Sequence, residues 1–319
     1  MTDPVESPVP IVIDCDPGID DAVALLLACA SPELRLLGVS TVAGNVVLEH
    51  TTRNAGRLLA LAGRSDVPVA AGAGRPLVRT SPGRAEQVHG EDGVHRAELP
   101  EPAAEPDPRP AVDLLADAIG GSPDPVTLVA IGPLTNVALL YAVHPEVAAT
   151  LGRVVIMGGS AAGGNTTAAA EFNVWSDPEA AYRVLTDPGL DPPVPTTMVG
   201  LDLTRTVPFT EADLATLAGG GAAGQAAAAM LRPEAERQRQ QTGVAALAVH
   251  DAVAVTAVVR PDLLRTRPAT ITVDCSDDVT RGATVVTPAA PGVWSEVAVG
   301  AAERAVVELI VRRVADYSW

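Results

Sequence analysis

The sequence predicts an α/β fold, with an open, mostly parallel, Rossmann-like sheet and helices on both of its faces. Two observations lead to this prediction. Short apolar runs, typical of buried strands, alternate with longer segments that carry helical periodicity. Gly, Pro and Asn stand where one pattern gives way to the next, as they do at turns. Strands and helices that alternate at such short spacing favour a parallel sheet covered by helices.

The first strand and helix have the clearest pattern. Three hydrophobic residues at 11–13 predict a short buried strand, and Pro17-Gly18 marks a tight turn. Asp20 and Asp21 then precede the apolar run 22–28. We interpret this run as a helix, because acidic residues stabilise a helix N-terminus.

The later elements repeat the alternation. Residues 34–42 have a strand pattern that ends at Ala43-Gly44-Asn45, residues 46–62 have helical spacing, and Asp177-Pro178 is a helix-start signal. We expect further strands at 67–71, 126–131, 154–157, 197–201, 269–274 and 283–286, and helices at 112–119, 137–143, 178–185, 211–240, 245–259 and 301–314. Because no repeat or boundary interrupts this order, residues 1–319 are predicted to form a single domain, with a flexible start at 1–9.

Residues 72–110 break the alternation. They are rich in Gly, Pro and charge and show little periodicity. An insertion of this length is usually functional or disordered, so we weigh an active-site lid against a flexible surface loop. His89, which Gly90 follows, favours the lid.

Composition and charge exclude several partners. Of the 319 residues, 47% are hydrophobic and 19% charged, as in a soluble globular protein, and the net charge is −17 with no Lys. Such a surface repels nucleic-acid phosphates and anionic membranes, so neither is an expected partner.

The cysteines and the N-terminus favour the cytoplasm. Cys15, Cys29 and Cys275 are odd in number, without a CxxC pair, which argues against disulfides and a zinc knuckle. The first residues lack the pattern of a signal peptide, and no window reaches a clean membrane-spanning length. We therefore expect a soluble cytoplasmic protein.

Four carboxylates crowd the turn between the first strand and helix: Asp14, Asp16, Asp20 and Asp21. Anions this close repel one another unless a cation lies among them. A hard divalent cation with oxygen ligands would relieve the repulsion more than a helix N-terminus does. The alternative is an acidic capping cluster with one solvated Asp. The cation is favoured because Asp14 and Asp16 precede the turn, where capping does not need them.

Polar groups follow several predicted strands. In open parallel sheets ligands bind beyond the carboxyl ends of the strands, so we expect Asp16, Asn45, the Ile131-Gly132 backbone and the loop after Met157 to gather at one edge. Asn45 and Asn165 each stand beside Gly, so either also fits a turn residue in the left-handed region.

Two further groups of residues suit a polar site. Glu171 and Asn173 flank Phe172, so on an extended segment both would face one side. His250 stands in an Ala/Val-rich helix, where a lone His is commonly a packed core residue. Asp251 beside it changes this interpretation, because an unpaired buried carboxylate costs several kcal/mol that metal ligation would offset.

Taken together, these motifs resemble the inosine–uridine-preferring nucleoside hydrolase family, from about residue 10 to the C-terminus. They occur in the family's order as Asp14-Cys-Asp16-Pro-Gly-Ile-Asp20-Asp21, Thr41-Val-Ala-Gly-Asn45, Ile131-Gly-Pro-Leu-Thr-Asn136, Met157-Gly-Gly, Glu171-Phe-Asn173 and Val249-His250-Asp251. The resemblance implies the nucleoside hydrolase fold and hydrolysis of the N-glycosidic bond of ribonucleosides to ribose and free base.

The resemblance also implies roles for individual residues. Calcium (Ca2+) would be held by Asp16, Asp21, Asp251 and the backbone carbonyl of Ile131, an all-oxygen set that suits this ion and not zinc. Asp16 would be the general base toward the attacking water, and His250, protonated near neutral pH, the general acid for the leaving base. The ribose would be gripped by Asp20, Asn45, Met157, Asn165, Glu171 and Asn173. A homo-oligomer, dimer or tetramer, is expected from the relatives.

The base side departs from the family. Relatives usually carry aromatic residues on the helix before the His-Asp pair, whereas residues 234–242 contain none. His89 and Phe172 are candidates for contact with the base, and Gln238 or Arg239 is a hypothesis for a polar contact. The preference for purine or pyrimidine is therefore left open.

Two alternatives belong to other classes of protein. A haloacid-dehalogenase-type phosphatase also begins with a strand that ends in DxD, as Asp14-Cys-Asp16 does, but that family expects a later Lys and this chain has none. The other alternative is a ribonucleoside-binding protein without turnover, against which Asp16 and His250 argue.

Overall fold

The computed structural model describes residues 7–80 and 83–318. Most of the predicted flexible start, residues 1–6, lies outside these ranges, and Val9 already begins the first strand. The strands, in chain order, are β1 Val9–Cys15, β2 Leu34–Thr41, β3 Val69–Ala71, β4 Thr127–Ala130, β5 Arg153–Met157, β6 Thr196–Val199, β7 Pro208–Thr210, β8 Ala246–Ala248, β9 Leu264–Val273, β10 Thr284–Pro288 and β11 Ser295–Ala301.

The helices account for most of the remaining regular structure. They are α1 Ile19–Cys29, α2 Leu48–Leu61, α3 Glu86–His89, α4 Ala111–Gly120, α5 Thr135–Val143, α6 Pro145–Ala148, α7 Phe172–Ser176, α8 Pro178–Leu185, α9 Leu201–Thr204, α10 Glu211–Ala218, α11 Ala222–Thr242, α12 His250–Val259 and α13 Glu303–Asp316, with a 3-10 turn at Pro261–Leu263. Within residues 7–80 and 83–318, no helix combines the length and apolar character needed to cross a membrane.

The central sheet confirms the predicted fold class. Among the described residues it has nine strands in the order β10-β9-β11-β6-β5-β4-β1-β2-β3. Pairing is parallel from β11 through β3, and only the pairs of β9 with β10 and β11 are antiparallel. The order reverses beside β1, so a crevice opens between the carboxyl ends of β1 and β4, where ligands bind in doubly wound sheets.

Helices cover both faces because side chains of the central strand alternate between them. Ile11, Ile13 and Cys15 of β1 pack into a core that also contains residues of α1, α11, α12 and α13. Val12 packs on the opposite face, with residues of α4, α5 and α8. A strand that is apolar toward both sides, as 11–13 is, requires this arrangement.

The structure corrects several predicted elements. Residues 246–248, predicted as the start of a helix, form β8 and pair antiparallel with β7. Gly243 ends α11 in the left-handed conformation, and pairing with β7 then overrides the helix propensity of the alanines. The predicted helix 211–240 is divided into α10 and α11, and β7 and β11 had no predicted counterpart.

The described residues of the segment 72–110 are tied to the domain, and residues 81 and 82 lie outside the described ranges. Asn54 of α2 donates to the Asp92 carbonyl at 2.8 Å, and Arg57 donates to the Leu99 carbonyl at 2.9 Å. The one-turn helix α3 buries His89. These contacts do not support the flexible surface loop, and the lid stays a prediction.

Candidate active site

A cavity of about 600 Å³ opens at the carboxyl ends of the central strands. Most of the residues predicted for the site line it: Asp20, Asn45, His89, Ile131, Met157, Asn165, Glu171, Phe172, Asn173, Gln238, His250 and Asp251. Asp16 and Asp21 are fully buried beside it. The strand ends therefore meet at one edge of the sheet, as the sequence analysis expects.

Three carboxylates form an acidic cluster at the floor of the cavity. Asp20, Asp21 and Asp251 each offer an oxygen within 4.8 Å of the others. Burial raises the pKa of Asp21 to about 7, and the charge of Asp20 adds to this effect. Burial, followed by repulsion from Asp20 and Asp21, raises the pKa of Asp251 well above its usual value. A cation among these carboxylates would offset their repulsion and lower the pKa values of Asp21 and Asp251.

Asp16 lies next to this cluster with one oxygen unpaired. Its Oδ2 accepts the Asn45 N–H at 2.6 Å, whereas its buried Oδ1 has no hydrogen-bond partner among the described residues. Burial and then the charge of Asp21 raise the pKa of Asp16. An orphaned carboxylate oxygen beside three further acids fits a hard cation with oxygen ligands.

The cluster differs in part from the expected ligand set. It contains Asp20, which was expected on the ribose, while Asp16 is adjacent to it. The Ile131 carbonyl accepts the Asn173 amide at 2.9 Å and retains a second lone pair for another partner.

Asp14 lies outside the acidic cluster. It accepts hydrogen bonds from Ser40 Oγ at 2.6 Å and Asn136 Nδ2 at 2.8 Å, and the same Asn136 nitrogen donates to the Thr41 carbonyl. Burial raises the pKa of Asp14 to about 7 although both bonds oppose this. Asp14 thus joins β1 to β2 and α5, and does not share the site of the other acids.

The alternative of an acidic capping cluster holds for one residue. Asp21 Oδ2 accepts the Gly18 N–H at 3.0 Å, which is the reciprocal half of a capping box for α1. The same carboxylate belongs to the acidic cluster, so capping and cation binding are not exclusive here.

Glu171 and Asn173 reach the cavity from a helix, and the predicted extended segment is wrong. Glu171 is the N-cap of α7 and accepts the N–H groups of Asn173, Val174 and Gly159. Capping is favoured here because a carboxylate satisfies the free N–H groups of a first turn. Asn173 donates from Nδ2 to the carbonyls of Ile131 and Met157, so its Oδ1 can accept a hydrogen bond from a hydroxyl group.

Two asparagines also have defined partners. Asn45 donates from Nδ2 to the Asp16 carbonyl and to Asp21 Oδ2, which links the cavity wall to the acidic floor. Asn165 is exposed on the loop after β5, and its Oδ1 accepts the Phe172 N–H at 2.9 Å.

His250 is oriented by a hydroxyl. Thr204, at the end of α9, contacts the His250 Nδ1 at 2.7 Å. Burial lowers the pKa of His250, and the charge of Asp20 opposes this shift. The expected protonation near neutral pH therefore depends on Asp20. The neutral ring offers Nε2–H as a donor in the tautomer whose Nδ1 accepts the Thr204 hydroxyl proton.

His89 is neutral in this environment. Its Nδ1 accepts the Ile19 N–H at 3.1 Å, and burial lowers the pKa of the ring to about 3. Asp20 approaches Nδ1 only to 4.0 Å, which is not an ion pair with a neutral ring. The proton consequently resides on Nε2, and His89 can act as a donor.

Residues of α11 line the wall of the cavity that the sequence analysis assigns to the base. Gln238 lines the cavity, whereas Arg239 is exposed and pairs with Glu236, so only the first of the two suggested residues is in reach. Sequence reasoning missed Thr204 and the buried Glu234. Glu234 follows Leu231 by three residues, and a carboxylate on the apolar stripe of a helix is the signal that could have revealed it.

Comparison with known proteins agrees with this geometry. The sequence profile of a family described as inosine-uridine preferring nucleoside hydrolase matches residues 11–310. The pyrimidine-specific ribonucleoside hydrolase RihA of Photobacterium profundum is 52% identical over 205 residues, a match that spans 64% of each chain. RihA of Enterobacter sp. (strain 638) is 43% identical over 87% of each chain.

A solved structure shares the whole fold. The purine-preferring ribonucleoside hydrolase from Gardnerella vaginalis superposes with a TM-score of 0.87 at 28% identity, over 96% of this chain and 98% of that one. The haloacid-dehalogenase alternative is thereby excluded. The chain belongs to the inosine-uridine preferring nucleoside hydrolase family and is a ribonucleoside hydrolase, an enzyme that cleaves N-glycosidic bonds.

Proposed function

We propose that this enzyme is a calcium-dependent hydrolase of pyrimidine ribonucleosides, with Asp16 as general base and His250 as the donor to the leaving base. The observation that carries the proposal is the unpaired Oδ1 of Asp16, buried beside the cluster of Asp20, Asp21 and Asp251. The two curated relatives described above are named pyrimidine-specific, which supports the choice of base.

The residues that would hold the ion are Asp16, Asp20, Asp21 and Asp251, together with the Ile131 carbonyl. When bound, calcium would acidify and orient the attacking water and neutralise the four carboxylates. The donor set fits it, because every ligand is a hard oxygen and none is a thiolate or imidazole.

The protein's own groups supply the rest of the reaction. Asp16 takes a proton from water as the water oxygen bonds to the anomeric carbon. The bond from that carbon to the base nitrogen breaks and its electron pair stays on the nitrogen. Nε2–H of His250 donates a hydrogen bond to the departing base, which leaves as an anion and takes up one proton in place of the one that Asp16 removed from water. Glu171 and the Oδ1 of Asn173 face a sugar that becomes positively charged, and negative oxygens stabilise such a transition state.

The test is release of reducing sugar from uridine, cytidine, inosine and adenosine with Ca2+ present. We expect ribose from uridine and cytidine in preference to the purine nucleosides. Asp16→Asn should lower kcat by at least about 100-fold, in line with the loss of a general base. Asp66→Asn, on the surface beside Arg64, is the matched control and should leave the rate unchanged. No ribose from any nucleoside would instead favour the non-catalytic binding protein.

The remaining expectations from the sequence are proposals of the same kind. They comprise a single domain over 1–319, a lid at 72–110, a dimer or tetramer and a cytoplasmic location. Sedimentation of the purified enzyme would test the oligomer, and cell fractionation the location. Deletion within 72–110 should raise KM if the segment closes over bound substrate.

A further inference from the structure

A buried carboxylate on the base side of the cavity has no role in the proposed mechanism. The Glu234 side chain is 3% exposed and lines the cavity on α11, together with Leu231, Arg237 and Gln238. Burial of a carboxylate costs free energy unless the group is paired and hydrogen-bonded. Its position at this wall therefore calls for a physical explanation.

Glu234 is fully engaged by its neighbours. Arg237 donates from Nε to Oε2 and from Nη2 to Oε1, both at 2.5 Å, in the forked arrangement that suits a carboxylate. Gln238 donates from Nε2 to Oε1 at 3.2 Å. The positive charge of Arg237 compensates the charge of the Glu234 carboxylate. The other side chain that the carboxylate contacts is Gln238.

The carboxylate fixes the orientation of the Gln238 amide. An ionised carboxylate only accepts hydrogen bonds, so the amide must turn its NH2 toward Glu234. The opposite orientation would set Oε1 against the carboxylate and lose the bond. Among residues 7–80 and 83–318 nothing donates to Oε1 of Gln238, so this oxygen is the acceptor that the side chain can offer a base in the cavity.

We propose that Glu234 is a positioning residue that holds Gln238 as a hydrogen-bond acceptor toward the base. The enzyme then selects ribonucleosides whose base presents an N–H donor to α11. Uracil has such a donor at N3 and cytosine in its amino group, whereas pyrimidin-2-one has neither. This inference rests on the proposed function and adds the chemical feature of the base that is recognised.

The same helix carries a matched control. Glu236 accepts Arg239 Nε at 2.9 Å and Nη2 at 3.1 Å, and Gln240 Nε2 at 3.1 Å, with the same spacing of three and four residues. The Glu236 side chain is 46% exposed and does not line the cavity. Glu236 therefore makes the same hydrogen bonds to an Arg and a Gln on the helix, but it has no access to a base in the cavity.

The experiment compares kcat/KM for cytidine, uridine and pyrimidin-2-one riboside. The wild-type enzyme should disfavour the donor-free riboside by at least about tenfold, the value of one good hydrogen bond to a buried acceptor. Glu234→Gln and Gln238→Met should remove about tenfold of this discrimination, and Glu236→Gln should keep the wild-type ratio. The intrinsic lability of each riboside is the same for every variant, so a changed ratio reports on the protein.

Several results would overturn the inference. It fails if both variants keep the wild-type ratio, or if they lower kcat/KM equally for all three substrates, as a purely structural role would. Should Glu234→Gln not fold, Gln238→Met still decides, because it leaves the pair of Glu234 and Arg237 in place. A wild-type enzyme inactive on cytidine and uridine would defeat the proposed function and this inference together, whereas activity with an unmoved ratio defeats only the inference.

Discussion

Two glycines allow the backbone to approach Asp16 closely. A Cβ at Gly44 would lie 2.1 Å from Oδ2 of Asp16, and a Cβ at Gly132 would lie 2.6 Å from Oδ1. No side-chain carbon fits at these distances, and the Asn45 N–H reaches Oδ2 because Gly44 leaves the space open. The position of Asp16, the proposed general base, thus depends on two glycines that have no side chain.

Gly44→Ala should therefore impair catalysis. The added methyl group displaces the Asp16 carboxylate, and a displacement of about 1 Å in an active site costs on the order of 100-fold in rate. The measurement is kcat with cytidine. Gly74→Ala is the control, because its Cβ would meet only Leu48 Cδ2 at 3.8 Å. Wild-type kcat in Gly44→Ala would contradict the assignment of Asp16 as base.

Thr204→Val should weaken catalysis by a different route. It removes the hydroxyl that contacts His250 Nδ1 and keeps the side-chain shape, so the imidazole loses its orientation. One hydrogen bond corresponds to about a tenfold loss in kcat with little change in KM. Thr204→Ser should restore most of the rate. An equal loss in Thr204→Ser, or in the exposed control Thr206→Val, would show that the hydroxyl contact is not the cause.

Single residues divide into those predictable from sequence and those that are not. Asp16, Asp21 and Asp251 are predictable, because acidic residues in apolar surroundings need a specific partner. Glu234 and Thr204 are not, since their importance arises only when α11 and α9 pack around the cavity. Spacing places Glu234, and not Glu236, on the buried stripe of α11, but it does not show that this stripe borders the cavity.

At the scale of elements, α10 is anchored through one carboxylate. Asp213 accepts the Thr210 N–H at 2.9 Å in a capping box, and Arg304 of α13 donates to both of its oxygens at 2.8 and 3.0 Å. Burial alone would raise the pKa of Asp213, but the bonds from Arg304 and Thr210 outweigh burial and hold this pKa below its usual value.

Asp213→Asn should destabilise the protein in a pH-dependent way. The expected loss in free energy of unfolding at pH 7 is about 1 kcal/mol, as for loss of a cap. Because the folded pKa is lower than the unfolded one, the wild-type advantage is present above about pH 4 and disappears as the pH falls through the folded value. Urea denaturation at pH 7 and pH 3 measures this, with the exposed Asp124→Asn as control. An equal loss at both pH values would refute the account.

Element type was predictable where the pattern was long or strongly marked. The apolar run 11–13 and the Asp177-Pro178 start signal both led to correct elements, β1 and α8. Residues 246–248 did not, because three residues of Ala and Leu take the strand conformation only through pairing with β7. The extended interpretation of 171–173 failed for a local reason. Glu171 caps α7, and the alternation of side chains in the sequence does not reveal such a cap.

At the scale of the whole molecule, the buried acids should make stability depend on pH, and the proposed binding of calcium should change that dependence. Burial raises the pKa of Asp21 to about 7, and also raises those of Asp16 and Asp251. An acid with a higher pKa in the folded state binds protons more tightly there, so stability without calcium should fall as pH rises from about 4 to above 7. Calcium favours the ionised carboxylates and should reverse this trend.

The midpoint of thermal unfolding provides the test. In a chelator the midpoint should be lower at pH 8 than at pH 5, and Ca2+ should raise it more at pH 8. A hundredfold excess over Kd corresponds to about 2.7 kcal/mol. Asp251→Asn should reduce the response to calcium, and Asp66→Asn should not. A midpoint at pH 8 that is indifferent to Ca2+ would exclude a calcium site at the acidic cluster.

The predicted parallel sheet, with its strand ends at one edge, located the site better than any one element did. Asp20 and Asp21 begin α1, whereas Asp251 begins α12, and only the completed sheet brings these positions together. During synthesis the ribosome therefore releases the first acids long before the last one. A growing chain has no complete set of oxygens to capture an ion until α12 has emerged. Occupancy of the cluster would thus require that the segments around residues 20–21 and 251 have both emerged and packed together.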